Sequence, residues 1–286
     1  MPNMKAVTTL TLFILVTISE HLAVETHQPI RDLEDELLDL VENEIFGENV
    51  GDDIVFVGED EVNDMKPHDH GGVPMGDPSF DQYHCDDGYT NLEIDWDGNV
   101  EEFECLEKDY WSSQRYDGTD LNVKAEHFKE MPATHVCMDS RIVYEDRVPT
   151  SGAHRPLWPV FGEYTYLPPQ RWVHSLEHGS IVALYHPCTD PAEVETLRSV
   201  VTGCLRKHII SPYKQLTKDL PIALVSWTWR LYLPYADETE IKKFIQEHAL
   251  HAPEAARMDD GQFSEFLENK AAVVSDGQDS VLCPEE

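Results

Sequence analysis

The stretch SIVALYHPCTDPAEVETLRSVVTGCLRKH, residues 180–208, decides how this chain is read. Ser180 to His186 looks like a strand. Asp190-Pro191 and Glu193 then supply an N-cap, a first-turn proline and a capping-box acid. The spacing of Val194, Leu197, Val201, Cys204, Leu205 and His208 predicts one buried helical face running to about His208. Working outward, Val160 to Leu167 reads as a preceding strand. Ile222 to Leu233 reads as a third strand, with Leu224 and Ser226 alternating and Trp227 and Trp229 near its centre. Asp237 with Glu240 caps a second helix through about Leu250. Strand, helix, strand, helix is the order of a layered domain.

The expected fold class is therefore α+β: a single globular domain with a mixed or antiparallel sheet flanked by helices, preceded by an acidic, partly disordered arm. The chain has 286 residues, with 55 Asp plus Glu against 21 Lys plus Arg and a formal charge of -34. That surface repels phosphate backbones, so nucleic acid is not an expected partner. The acidity is concentrated early. Glu20 to Asp109 holds 29 acidic residues against Arg31, Lys66 and Lys108 as the basic ones, a density that would attract Ca²⁺ or basic partners. Residues 1–19 read as a signal peptide, because the uncharged run Ala6 to Ile18 is shorter than the roughly 18 to 20 residues of a membrane span. Residues 20–80 read as the acidic arm, with Leu33, Leu37, Leu40, Val41 and Ile45 forming the stripe of a short amphipathic helix. His68-Asp69-His70 in this arm is taken as a solvated polar tract. Residues 81–110 read as a cysteine-flanked β-hairpin, residues 111–252 as the histidine-rich core domain, and residues 253–286 as a C-terminal helix and tail.

Asp95, Asp97 and Asn99 imitate the start of a calcium loop. Val100 stands where Gly is needed and Leu106 where a bidentate Glu is needed, so no EF-hand is expected. The alternation of Leu92, Ile94 and Trp96 before Asp97-Gly98 predicts the hairpin instead. The most apolar later stretch, Ile222 to Tyr235, contains Arg230 and is bounded by Pro221 and Pro234, so no membrane span follows signal cleavage. Cys85, Cys105, Cys137, Cys188, Cys204 and Cys283 are an even set in a chain expected to be secreted or lumenal, which predicts disulfides. The hairpin reading favours Cys85 with Cys105.

Histidine carries the chemistry. Seven of the fourteen histidines fall between His127 and His208, beside turns and strand ends. Thr134-His135-Val136-Cys137, Pro149-Thr150-Ser151-Gly152-Ala153-His154 and Val173-His174-Ser175-Leu176-Glu177-His178-Gly179 bring imidazoles from separate loops, as folded metal pockets do. The predicted ligands are His135, His154, His174 and His178, with Glu177 orienting an imidazole and Tyr144 and Tyr164 lining the site. Disulfide-bonded cysteines cannot ligate, so the donor set is nitrogen-rich and suits copper or zinc. Met138, next to Cys137, adds a soft atom. His174-Ser175-Leu176-Glu177-His178 spells H-x-x-E-H, the string of inverted zinc proteases, but Gly179 and the strand that follows predict that its helix stops at once. His186 reads as a strand-end residue.

The run His135 to Tyr144, the block Pro149 to His154, Gly162 with Tyr164, the block Val173 to Gly179, and Tyr185 to Pro187 together resemble the tumour-protein-p53-inducible protein 13 family. Bacterial relatives of that family form the domain of unknown function numbered 3105. The resemblance spans roughly residues 130–250 and implies no established reaction. Vertebrate members are similar to membrane-anchored proteins, and no second span is expected here. Three classes of function follow: a secreted metal-binding module, a metal-dependent enzyme, and an interaction domain with structural histidines. The binding module is the expectation, with no catalytic residue assigned and no nucleotide cofactor.

Overall fold

A computed structural model describes residues 54–57, 85–113 and 123–285. The signal peptide, the amphipathic helix near Leu37, His68-Asp69-His70 and all but one short strand of the acidic arm lie outside the described residues. In chain order the strands are β1 (Ile54–Val57), β2 (Glu126–His127), β3 (Arg141–Tyr144), β4 (Gly162–Tyr164), β5 (Ile181–Tyr185), β6 (His208–Pro212), β7 (Ile222–Ser226), β8 (Trp229–Leu233) and β9 (Leu267–Lys270). The helices are α1 (Pro169–Glu177), α2 (Pro191–Cys204) and α3 (Glu238–His248).

Seven strands form one mixed sheet in the order β2-β8-β7-β5-β6-β4-β9. β6 is parallel to both β5 and β4, and the other pairings are antiparallel. β1 pairs separately with β3. The α+β reading with a flanked mixed sheet is what the chain adopts. Alternate residues of the central strands point to opposite faces. Val182, Leu184, Ile209, Ala223 and Val225 pack against Trp172, Val173 and Leu176 of α1. Ile181, Ala183, Ile210, Leu224 and Leu231 pack against α2 and α3 through Leu197, Val201, Ile241, Phe244 and Ile245. Helices cover both faces, which is why β5 reads as an uninterrupted apolar run.

Both caps form as expected: Asp190 accepts from Ala192 N–H and Asp237 from Glu240 N–H. The helix expected to reach His208 stops at Cys204. The Asp279 carboxylate accepts the backbone N–H groups of Arg206 at 2.7 Å and Lys207 at 2.9 Å, which turns the chain out of the helix and into β6. The single strand expected over Ile222 to Leu233 is a hairpin. Its turn lacks Asn-Gly and uses Thr228 at φ 62°, held by hydrogen bonds to Thr150 O and from Phe128 N.

Two further expectations are corrected. Leu92–Ile94 and Val100–Glu102 are 3₁₀ turns, not hairpin strands, and Cys85 is not joined to Cys105. The disulfides are Cys85–Cys137, Cys105–Cys188 and Cys204–Cys283, so all six cysteines are paired. The reason is electrostatic as well as covalent. Asp86 and Asp95 are drawn into the core by buried Arg171 and Arg155, which pulls this segment away from local pairing. The C-terminal segment is no helix among the described residues after His248. It runs through turns into β9, which lies antiparallel to β4. At Gly162, φ is +150° and a Cβ would meet Asn269 O at 2.1 Å, so only glycine lets β9 approach. The bridges close separations of 52, 83 and 79 residues, each stabilising by roughly 4 kcal/mol on chain-entropy grounds.

Asp86 is 1% exposed. It pairs with Arg171 through both carboxylate oxygens and accepts the N–H groups of Gly88 and Leu157. Removing it strands a buried guanidinium. Asp86→Ala is expected to cost about 3–5 kcal/mol in urea unfolding, whereas Asp87→Ala, at an exposed position, is expected to stay within about 1 kcal/mol.

Candidate metal centre

Three of the four predicted ligands converge. His135, His154 and His174 are buried and each offers a ligand atom within 4.8 Å of the others. Their ring centroids are 5.0, 4.9 and 4.3 Å apart for the pairs 135–154, 135–174 and 154–174. Each arrives on a different piece of chain. His135 and His154 face each other across an isolated parallel bridge, closed by Val136 N–H to His154 O at 3.0 Å and His154 N–H to Thr134 O at 2.9 Å. His174 comes from α1, which begins with Pro169 at its first turn and presents Arg171, His174 and His178 along one side.

The rings are oriented by the backbone. His154 Nδ1 lies 2.8 Å from Gly152 O and His174 Nδ1 lies 2.7 Å from Arg155 O. A carbonyl only accepts, so both Nδ1 atoms carry a proton and Nε2 is the nitrogen each neutral ring would offer a metal, the arrangement that metal-bound imidazoles show. Tyr144 donates to Ala153 O at 2.6 Å and so braces the loop before His154.

The other predicted residues take different places. His178 caps α1, which ends at Glu177, so the H-x-x-E-H string never becomes two turns of helix. Gly179 forces that end: φ is +79° and a Cβ would meet Leu250 Cα at 2.8 Å. The His178 ring lies 5.0 Å from that of His174 and 4.0 Å from Trp158, and its Nδ1 is 3.5 Å from Glu254 Oε2. The Met138 sulfur accepts from Arg171 Nη2 at 3.4 Å. Tyr164 is committed to Val160 O at 2.6 Å. His186 follows the end of β5, stacks on Trp111 at 4.0 Å and accepts the Cys188 N–H.

Glu177 is 1% exposed, and neither of its carboxylate oxygens has a hydrogen-bond partner among the described residues. Its Oε2 lies 3.6 Å from His154 Nε2. Burial, with Glu254 and Glu130 nearby, raises its pKa to about 8. An isolated buried carboxyl of this kind is costly, and a cation beside it restores the ionised form. Burial and the neighbouring imidazoles hold His174 well below the ordinary range. Burial, helped by Arg257 and Lys207, lowers His178 to about 3. Three buried imidazoles, of which His174 is held neutral, thus stand beside a buried carboxyl, a set that fits a metal ion.

Residues 135–261 match the family model for DUF3105, a protein of unknown function. No curated protein and no solved structure matches the chain. The DUF3105 match begins at His135 and takes in His154, His174, Glu177, His178 and Glu254. Two groups that support the site escaped the sequence reading: Arg155, whose carbonyl holds the His174 ring, and Trp158, which packs beside it. One signal was available, since Arg155 directly follows His154 and Arg171 shares the α1 side of His174. A cation set among apolar residues announces a buried acidic partner.

The pH dependence of the metal-stripped protein follows from these shifts. His174 and His178 take up protons near pH 6.5 when unfolded but not when folded, so stability falls as pH drops below about 6.5. Each group contributes up to about 1.4 kcal/mol per pH unit. Glu177 has the opposite sign: its folded carboxyl holds a proton up to about pH 8, so its contribution is lost as pH rises from 4.5 to 8. Two imidazoles against one carboxyl leave a net loss between pH 6.5 and 4.5. Urea midpoints of the metal-free chain are expected to peak near pH 6.5, and Glu177→Gln to flatten the decline from pH 6.5 to 8.

Proposed function

We propose that this protein is a secreted, disulfide-stabilised metal-binding module whose His135–His154–His174 trio holds one copper or zinc ion. The convergence of three buried imidazoles on ligand atoms within 4.8 Å carries this reading. Two rings already have Nδ1 turned to a backbone carbonyl, and the buried Glu177 carboxyl, protonated up to about pH 8 without an ion, would ionise beside a cation. Three nitrogens without thiolate suit Zn(II) or Cu(II). Three protein ligands leave a further coordination position.

Three disulfides suit an oxidising, extracellular or secretory environment. No helix among the described residues is long and apolar enough to cross a membrane. We further infer kinship with the p53-inducible protein 13 family, supported by the S-G-x-H and H-S-L-E-H-G blocks that lie within the DUF3105 match. Attraction of Ca²⁺ or basic partners to the acidic arm belongs to the same proposal, supported by composition.

Metal analysis of the purified full chain tests the centre. One tightly held equivalent of copper or zinc is expected, lost in both His154→Ala and His174→Ala. Loading at 100 times the dissociation constant is expected to stabilise the wild type by about 2.7 kcal/mol. A wild-type chain that binds no metal tightly, or variants that bind it unchanged, would move the reading to structural histidines and an interaction domain.

A further inference from the structure

A second set of donors sits at the end of α1. His178 is fully buried, and beyond a loose contact with the Glu254 backbone neither ring nitrogen has a hydrogen-bond partner among the described residues. Its Nδ1 and the Glu254 Oε2 are 3.5 Å apart. That is outside hydrogen-bond geometry but close to the roughly 3.3 Å that separates two ligand atoms held about 2.0 Å from one tetrahedral ion. The pairing is built into the backbone, because Glu254 N–H donates to Glu177 O at 2.9 Å and so fixes Glu254 under the helix end. Lys207 holds the same corner, donating from Nζ to the carbonyl oxygens of His178, Ala255 and Arg257.

The pair also has access and a companion charge. Glu254 is 23% exposed, so solvent reaches it, and its present counterion is Arg257 at 3.1 Å, a residue 42% exposed and able to swing outward. The Glu177 carboxyl contacts His154 on the trio side and precedes His178 in the chain. The Trp158 ring packs on the His178 ring at 4.0 Å.

We propose that His178 and Glu254 form a second, weaker position for a divalent transition-metal ion beside the trio; the inference rests on reading the trio as a metal centre. Two protein ligands rather than three, together with the need to displace Arg257, make this the weaker of the two positions. An ion bound here lies on the solvent side of the buried trio, where loading and release would begin.

Equilibrium dialysis of the full chain against zinc alone, with bound metal counted by mass spectrometry, tests the proposal. Two equivalents are expected, the second weaker by about 10-fold or more. Glu254→Gln and His178→Phe are each expected to remove the weaker equivalent and keep the tight one. Phe preserves the ring against Trp158, so that variant guards against a packing defect. His154→Ala is expected to do the reverse. A single class of site in the wild type, or a weaker class that survives both Glu254→Gln and His178→Phe, overturns the second position and leaves the trio standing. A tight class that is missing, or that His154→Ala does not touch, overturns the trio reading instead.

Discussion

The structure turns on the side chain of Arg155, a fully buried cation. Its guanidinium reaches Asp95 through two hydrogen bonds of 2.8 and 2.6 Å and donates as well to the carbonyl oxygens of Val136, Cys137 and Ser140. Its own carbonyl receives the Nδ1 proton of His174, and its N–H donates to Gln170 O. One residue therefore fastens the segment after His135, the residue beside His154 and the ring of His174. A buried guanidinium left unpaired would cost several kcal/mol, so its partners are obligatory. The same obligation that neutralises Arg155 assembles the trio.

Arg171 repeats the device with Asp86, and its second nitrogen takes up the sulfur of Met138. Two acidic residues from a strongly negative stretch thus become core residues. The acidity of residues 85–113 is partly an internal counter-charge, not only a solvated surface. Lys207 and Asp279 do comparable work at the other end, where the lysine collects three carbonyl oxygens and the aspartate two backbone N–H groups. These contacts and the Cys204–Cys283 bridge hold the C-terminal segment against the sheet.

Where local signals were strong, they were sufficient. The caps at Asp190 and Asp237, the apolar run of β5 and the early stop of α1 at Gly179 needed no tertiary information, because each depends on residues within one turn or one strand. Reading failed where a distant group outbid the local pattern. Leu92, Ile94 and Trp96 alternate as a strand would, yet Asp95 between them is claimed by Arg155, and the segment curls into 3₁₀ turns. The helical spacing that carried α2 on to His208 is interrupted by Asp279, 71 positions further along the chain. Thr228 turns a hairpin for which it has no local preference, because Thr150 and Phe128 hold its backbone.

By itself, the sequence determined the layered α+β class, the paired state of the cysteines and the concentration of imidazoles in one region. These follow from composition and from periods of two and 3.6 residues, which assign side chains to faces within a single element. Only the tertiary structure decided which cysteines meet, that His135 and His154 share a bridge, and that Glu254 comes to within 3.5 Å of His178. Those outcomes depend on contacts between residues that are remote in sequence. Sheet order and the need to pair buried charges select such contacts, and no local period encodes either.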